Sequence, residues 1–206
     1  MGIVVGIAAL LVTGLVWRVV ANGPSEEVAT ELRVSEPFAI ASLPENVLGR
    51  VHGVTKRQGG TVRASLTGRE CLYFIVRIEK LVHDGRRSYW QTIATDSDHV
   101  PFLVDDGTGQ AIVDPLGARA AMRRDSQSGT VAAKQALIQK YSIIETELRF
   151  RETIIAEHEK IVVAGAAVRE PVGEPGYRDP ATRLTFRAST VFALALSNIP
   201  RLVRRG

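Results

Sequence analysis

A mainly β fold with one inserted helix is the fold class this sequence predicts, and three observations carry it. Short apolar runs separated by turn residues recur from Val47 to Ser197. The clearest run, Cys71–Val82, sets Leu72, Phe74, Val76 and Ile78 on one face, at the period of two that a strand imposes. One stretch alone, from Gly129 to about Glu147, changes to a helical period, with Leu137, Tyr141, Ile144 and Leu148 on a single stripe. That helix is expected to lie on the β core.

Composition bounds the function. At 206 residues there is room for one good core plus an anchor, or at most two small domains. With 45% hydrophobic and 23% charged residues, disorder of the whole chain is excluded. A net charge of +4 is too small to argue for nucleic acid by itself. Arginine far outnumbers lysine, and alanine, glycine and valine are abundant, a composition that points to a GC-rich, bacterial source. Cys71 stands alone, so no intrachain disulfide forms and a secreted disulfide scaffold is excluded. One cysteine with His52, His83, His99 and His158 builds no cysteine-rich zinc site.

The elements follow in chain order. Gly2 to Trp17 carries no charged side chain, and Arg18 is followed by Val19-Val20-Ala21. A helix crosses a bilayer core in about 20 residues, so residues 2–21 read as a single transmembrane anchor whose Arg18 snorkels beside Trp17. The alternative is a cleaved signal peptide ending at Ala21. Against it stand an n-region without lysine or arginine and a basic residue late in the apolar run. Arg18 and Arg33, both C-terminal to the span, lean toward a cytoplasmic domain without fixing its side.

Residues 22–43 read as a polar, acidic linker with Pro24 and Pro37 as breakers and a short helix around Glu26 to Leu32. The folded domain is expected over residues 44–197, and residues 198–206 as a basic tail with Arg201, Arg204 and Arg205. Val47–Thr55 reads as a first strand, with Gly49 and Gly53 marking bulges or close backbone approaches. After Cys71–Val82, Asp84-Gly85 turns the chain back through Tyr89 to Thr95. Pro101 to Pro115 holds two short strands around Asp106-Gly107-Thr108-Gly109, residues that favour a tight reversal. Ile161–Gly165 is a buried strand, 170–180 a Gly/Pro-rich loop, and 183–188 and 191–197 the last strands.

An Asp-x-Thr-Gly hairpin, then a helix, then a strand ending in Ala164-Gly165 is the order of OB-type barrels. The expected architecture is therefore an OB-like β-barrel or a compact β-sandwich with one inserted helix, behind a transmembrane helix.

These blocks together resemble a family. They are Gly49-Arg50-Val51-His52-Gly53, Gly68-Arg69-Glu70-Cys71-Leu72-Tyr73, Trp90, Val100 to Gly109 with Ile112 and Val113, and Glu152-Thr153-Ile154-Ile155 continuing to Lys160–Gly165. The chain resembles the GIDE domain, also called BAM for "beside a membrane", over roughly residues 44–197. The resemblance implies a leading membrane span, matched by residues 2–21. It also implies a RING for ubiquitin transfer, but the zinc ligands of a RING are not available in a chain with no cysteine after Cys71. The motif residues Gly53, Cys71, Trp90, Pro101, Phe102, Asp106, Gly109, Glu152 and Gly165 are expected to be structural.

No residue set signals chemistry. Asp105 and Asp106 are neighbours in a hairpin and read as turn residues rather than an acid–base pair. Glu157-His158-Glu159 has ligand-type residues, but consecutive positions point to different faces, so it reads as surface charge. Cys71 opens an apolar strand without an activating base in its sequence context and reads as a packed thiol. Aromatics are only 6% of the chain, and Phe74, Phe102 and Phe186 fall on apolar faces, which speaks against single-stranded nucleic acid. The expectation is a single-pass membrane protein with no catalytic site, metal or cofactor. It acts as an adaptor that binds a protein or lipid beside the bilayer. The alternative is a ubiquitin-ligase component whose RING lies on another chain.

Overall fold

The computed structural model describes residues 25–123, 129–171, 182–190 and 192–203. The apolar segment 2–21 lies outside them, as does most of the Gly/Pro-rich loop. Among the described residues no helix is long and apolar enough to cross a membrane.

The chain opens with helix α1 (Ser25–Val34), strand β1 (Glu36–Pro37) and a 3-10 turn at Ile40–Ser42. Strand β2 (Leu48–Arg57) enters the barrel. A side excursion of β3 (Val62–Arg63), β4 (Glu70–Cys71), β5 (Tyr73–His83) and β6 (Ser88–His99) follows. The chain returns through β7 (Phe102–Asp105), β8 (Gln110–Asp114) and β9 (Arg119–Ala121). Helix α2 (Val131–Lys140) and β10 (Leu148–Ile155) precede β11 (Lys160–Pro171), β12 (Thr182–Arg187), β13 (Ala195–Ser197) and the short α3 (Pro200–Val203).

Five strands close a barrel in the order β2-β7-β8-β12-β11, with β11 pairing back onto β2. The β8–β12 contact is parallel and the other four are antiparallel. Of the two β architectures expected, the closed barrel is the one formed. Strict alternation fills it: Val51 of β2, Phe102 and Val104 of β7, Ala111 and Val113 of β8, Ile161 and Val163 of β11, and Leu184 and Phe186 of β12 all point inward. Gly53 permits this closure. A Cβ there would lie 2.7 Å from the Asp105 carbonyl oxygen and 2.6 Å from Val104 Cγ2, so any side chain would push β2 and β7 apart.

A second sheet, β10-β5-β6, stands beside the barrel and carries its own core. The sequence places Leu72 with Phe74, Val76 and Ile78 on one face. In the structure Leu72 and Tyr73 belong to the barrel core, while Cys71, Phe74, Val76 and Ile78 belong to the second one. The chain changes cores at Leu72, whose N–H donates to Ile155 O at 2.8 Å and whose carbonyl accepts from Val100 N at 2.9 Å.

The inserted helix differs from expectation in length and place. It ends at Lys140, rests through Leu137 on the second sheet, and leaves Ile144 91% exposed. Ser142 at φ 50 breaks the helix, and the Tyr141 hydroxyl donates to buried Asp96 at 2.8 Å. Leu148 then belongs to β10, facing Lys80. The apparent stripe joins two elements of different period.

From Ser25 on, the segment read as a polar linker is structured. Val28, Ala29 and Leu32 of α1 pack on Val162 and Ala164 of β11 and on Leu202 of α3. Ile40 and Leu43 reach the barrel core. Arg50 Nη1 donates to the carbonyls of Leu32 (2.7 Å) and Arg33 (2.8 Å), closing the C-terminus of α1. The expected helix near Glu26 is α1. Several strands differ in extent from expectation: β13 spans only Ala195–Ser197, whereas β2 continues to Arg57, β6 to His99 and β11 to Pro171.

Candidate cleft on the barrel wall

Val54 pairs with Lys160 on β11 and with Asp105 on β7, so these three side chains form a row on the outer wall of the barrel. Their chain neighbours Thr55, Val104 and Ile161 point inward and are buried. The row lies in an open cleft of about 1000 Å³. His52 and Lys56 of β2 extend it along the strand, the β7–β8 turn closes one side, and Asn198, Pro200 and Val203 close the other. His52 Nδ1 lies 3.0 Å from the Val203 carbonyl oxygen, which seats α3 against β2.

The β7–β8 turn is rigid because its carboxylates bond the backbone. Asp106 Oδ1 accepts from Thr108 N (2.8 Å), Thr108 Oγ1 (2.7 Å) and Gly109 N (3.1 Å). Its Oδ2 accepts from Ile40 N at 2.8 Å, tying the 3-10 turn to the hairpin. Burial alone would raise this carboxyl, but those donors outweigh it and hold the group below its usual range. Gly107 takes φ 85, and Gly109 leaves room for Ile40, whose Cγ2 would sit 3.2 Å from a Cβ. Asp105 accepts from Lys56 Nζ (2.7 Å), Gln110 Nε2 (2.9 Å) and Gly107 N (2.8 Å). Lys56 first, then Gln110 and the Gly107 N–H, hold its carboxyl far below the ordinary carboxylate range.

The β10–β11 turn forms another side. The buried Thr55 hydroxyl donates to Ala156 O at 2.7 Å, and Glu159 N donates to Thr55 Oγ1 at 2.9 Å. Glu159 accepts from Ala156 N (3.0 Å) and Asn198 Nδ2 (2.9 Å). The Glu157-His158-Glu159 run therefore splits. Glu157 pairs with Arg57 at 3.3 Å, His158 takes φ 64 in the turn, and Glu159 lines the cleft. Among the described residues no three potential ligands gather for a metal ion.

The motif residues fall in three places. Gly53 and Asp106 meet at the cleft. Phe102 is fully buried in the barrel, Pro101 precedes it on the surface, and Gly165 makes room for Leu194, 3.3 Å from where a Cβ would be. Trp90 and Glu152 belong to the second sheet, and Cys71, on β4 of the small β3–β4 pair, packs into the core of that sheet. Trp90 lies under the Arg149 guanidinium, 4.3 Å from the ring centroid. Glu152 is fully buried and accepts from the Leu66 (3.2 Å) and Thr67 (3.1 Å) amides and the Thr67 hydroxyl, with Arg69 at 3.5 Å. Burial, then the Glu152 charge, push the Cys71 thiol up to about 11, so it stays protonated at neutral pH.

The β2 segment around Gly53, the Asp106 hairpin and the β10–β11 strands are thus neighbours in space, each far from the others in sequence. A family model described as GIDE, E3 ubiquitin ligase, matches residues 76–197. The chain belongs to this family. The match takes in Trp90, the Asp106 hairpin, Glu152 and Gly165, and ends with the last strand of the GIDE domain, β13. Comparison with curated proteins gave no match, and neither did comparison with solved structures. Lys56 and Asn198 enter the cleft without having stood out in the sequence, and Lys160 stood there only as the first residue of a family block. Only pairing register brings them there, and no local signal marks it.

Proposed function

We propose that this GIDE-family chain is a membrane-anchored, non-catalytic adaptor that holds a protein partner in the barrel-wall cleft, beside the bilayer. One observation carries the non-catalytic reading. Every carboxylate oxygen of Asp105, Asp106 and Glu159 already accepts a hydrogen bond within the fold, and the two aspartates are held ionised. A general acid or base needs a free group that titrates near working pH. These carboxylates shape a wall. The anchor rests on the uncharged run from Gly2 to Trp17. The barrel reads as OB-type: numbered along the chain, its strands run 1-2-3-5-4, with the third and fifth parallel.

A photo-crosslinking residue at Val54, in full-length protein expressed in cells, tests the adaptor. A partner captured from Val54 but not from exposed Val131 on α2 supports it, and equal capture from both positions overturns it. Alkaline carbonate extraction of the same membranes tests the anchor, which predicts retention in the pellet.

A second reading draws on the family model's description as an E3 ubiquitin ligase. In it, the domain is a ligase component that works with a RING carried on another chain, and one cysteine and four histidines in these residues do not supply the paired zinc sites of a RING. A RING protein crosslinked at Val54 favours this reading.

A further inference from the structure

In the cleft every carboxylate oxygen has a hydrogen-bond donor within the fold, whereas the lysine ammonium groups have donors to spare. Each carboxylate oxygen of Asp105, Asp106 and Glu159 is engaged, and Asn198 Oδ1 accepts from Arg123 N at 2.6 Å. On the donor side, the Lys160 side chain is exposed at the start of β11, and its ammonium makes no hydrogen bond or ion pair among the described residues. The Lys56 ammonium has three N–H groups and one partner, Asp105, with its side chain 44% exposed. Lys56 and Lys160 share the outer face, Lys160 across from Val54 on β11 and Lys56 two residues along β2 from it.

We infer that Lys160 and Lys56 receive a carboxylate of the partner, so that the cleft selects an acidic peptide segment, with Val54 and Val203 contacting its apolar part. The inference rests on the cleft being the binding face. Charge balance favours a peptide over a lipid surface. Lys56, Arg123 and Lys160 are matched by Asp105, Asp106 and Glu159 among the described lining residues. Attraction to an anionic leaflet takes a surplus of basic residues acting within a Debye length. A balanced wall lacks that surplus, but two donor-rich ammonium groups still bind one carboxylate at contact distance.

Fluorescence anisotropy with the detergent-solubilised full-length protein tests this. The probes are a labelled Asp/Glu-rich peptide, its Asn/Gln counterpart, and the acidic peptide with an amidated C-terminus. Phosphatidylcholine vesicles containing phosphatidylserine form a separate arm. The expected result is binding of the acidic peptide over the Asn/Gln one, weakened about fivefold by Lys160→Gln and further by Lys160→Glu. Lys134→Gln on α2 leaves it unchanged. Loss on amidation assigns the carboxylate to the peptide terminus, and no loss assigns it to side chains.

Equal binding of the acidic and Asn/Gln peptides, or indifference to both Lys160 variants, overturns the inference. Vesicle binding that needs Lys160 without peptide binding overturns it in favour of a headgroup. If Val54 crosslinks a partner that the acidic peptide does not displace, the cleft stands as the binding face and only the carboxylate assignment falls.

Discussion

Glu152 shows how one buried charge can organise a loop. Its carboxylate is fully enclosed, and the amides of Leu66 and Thr67 have it as their acceptor. Removing it strands two amide donors in a dry site. Glu152→Ala is expected to lower stability by about 3 kcal/mol, and Glu152→Gln by roughly half of that, read from urea denaturation midpoints. Cys71 answers to the same charge. With its pKa near 11, against 9 for an exposed thiol, iodoacetamide should label it slowly in the native protein at pH 7.5 and rapidly in urea. The sign of the linkage follows. Above pH 9 the unfolded thiol loses its proton while the folded one keeps it, so stability is present below 9 and is lost as pH rises toward 11. Tyr73, raised by burial to about 12, adds a loss in the same direction at higher pH. Thermal melts between pH 8 and pH 11 check both; a flat profile would contradict the buried environment assigned to these groups.

Among the elements, the inserted helix separates what periodicity can establish from what it cannot. Leu137 is 3% exposed against the second sheet, whereas Ile144 is 91% exposed beyond the helix end. Leu137→Ala should cost about 3 kcal/mol, and Ile144→Ser should fall within about 0.5 kcal/mol of the parent. A helical stripe running from Leu137 to Leu148 would make both costly, so the pair of unfolding curves decides between the arrangements. The hairpins were more legible than the helix. Asp84-Gly85 and Asp106 to Gly109 are turns in the structure at the positions their residue types require, because positive φ and Asx bonding are local demands. Strand β10 carried a weaker signal: Arg149, Arg151 and Glu152 interrupt its apolar pattern, and the partners that receive their charges, among them Glu79 on β5 and Thr67 and Arg69, lie far away in the sequence.

For the molecule as a whole, the decisive feature is that α1 and the 3-10 turn complete the barrel rather than lead up to it. Val28 and Leu32 cover β11, and Ile40 and Leu43 are buried against the barrel core. A fragment starting at Ser25 is expected to give dispersed amide resonances. A fragment starting at Pro44 should aggregate or remain unfolded, because it exposes the apolar surface those side chains cover. A dispersed spectrum from the shorter fragment would show that the barrel closes without them.

By itself, the sequence determined the β-rich class, the turns, the barrel strands and the family, because alternation, turn chemistry and motif order are written along the chain. Its single cysteine also excluded an intrachain disulfide and a cysteine-rich zinc site. Tertiary structure alone decided that the sheet closes through β2 and β11, that a second core exists, and that the acidic segment after residue 24 is built into the fold. It also decided which charges share the cleft. Lys160, Val54 and Asp105 come from three separate stretches of chain and meet through strand register, and register is set by packing between strands, which no single stretch contains.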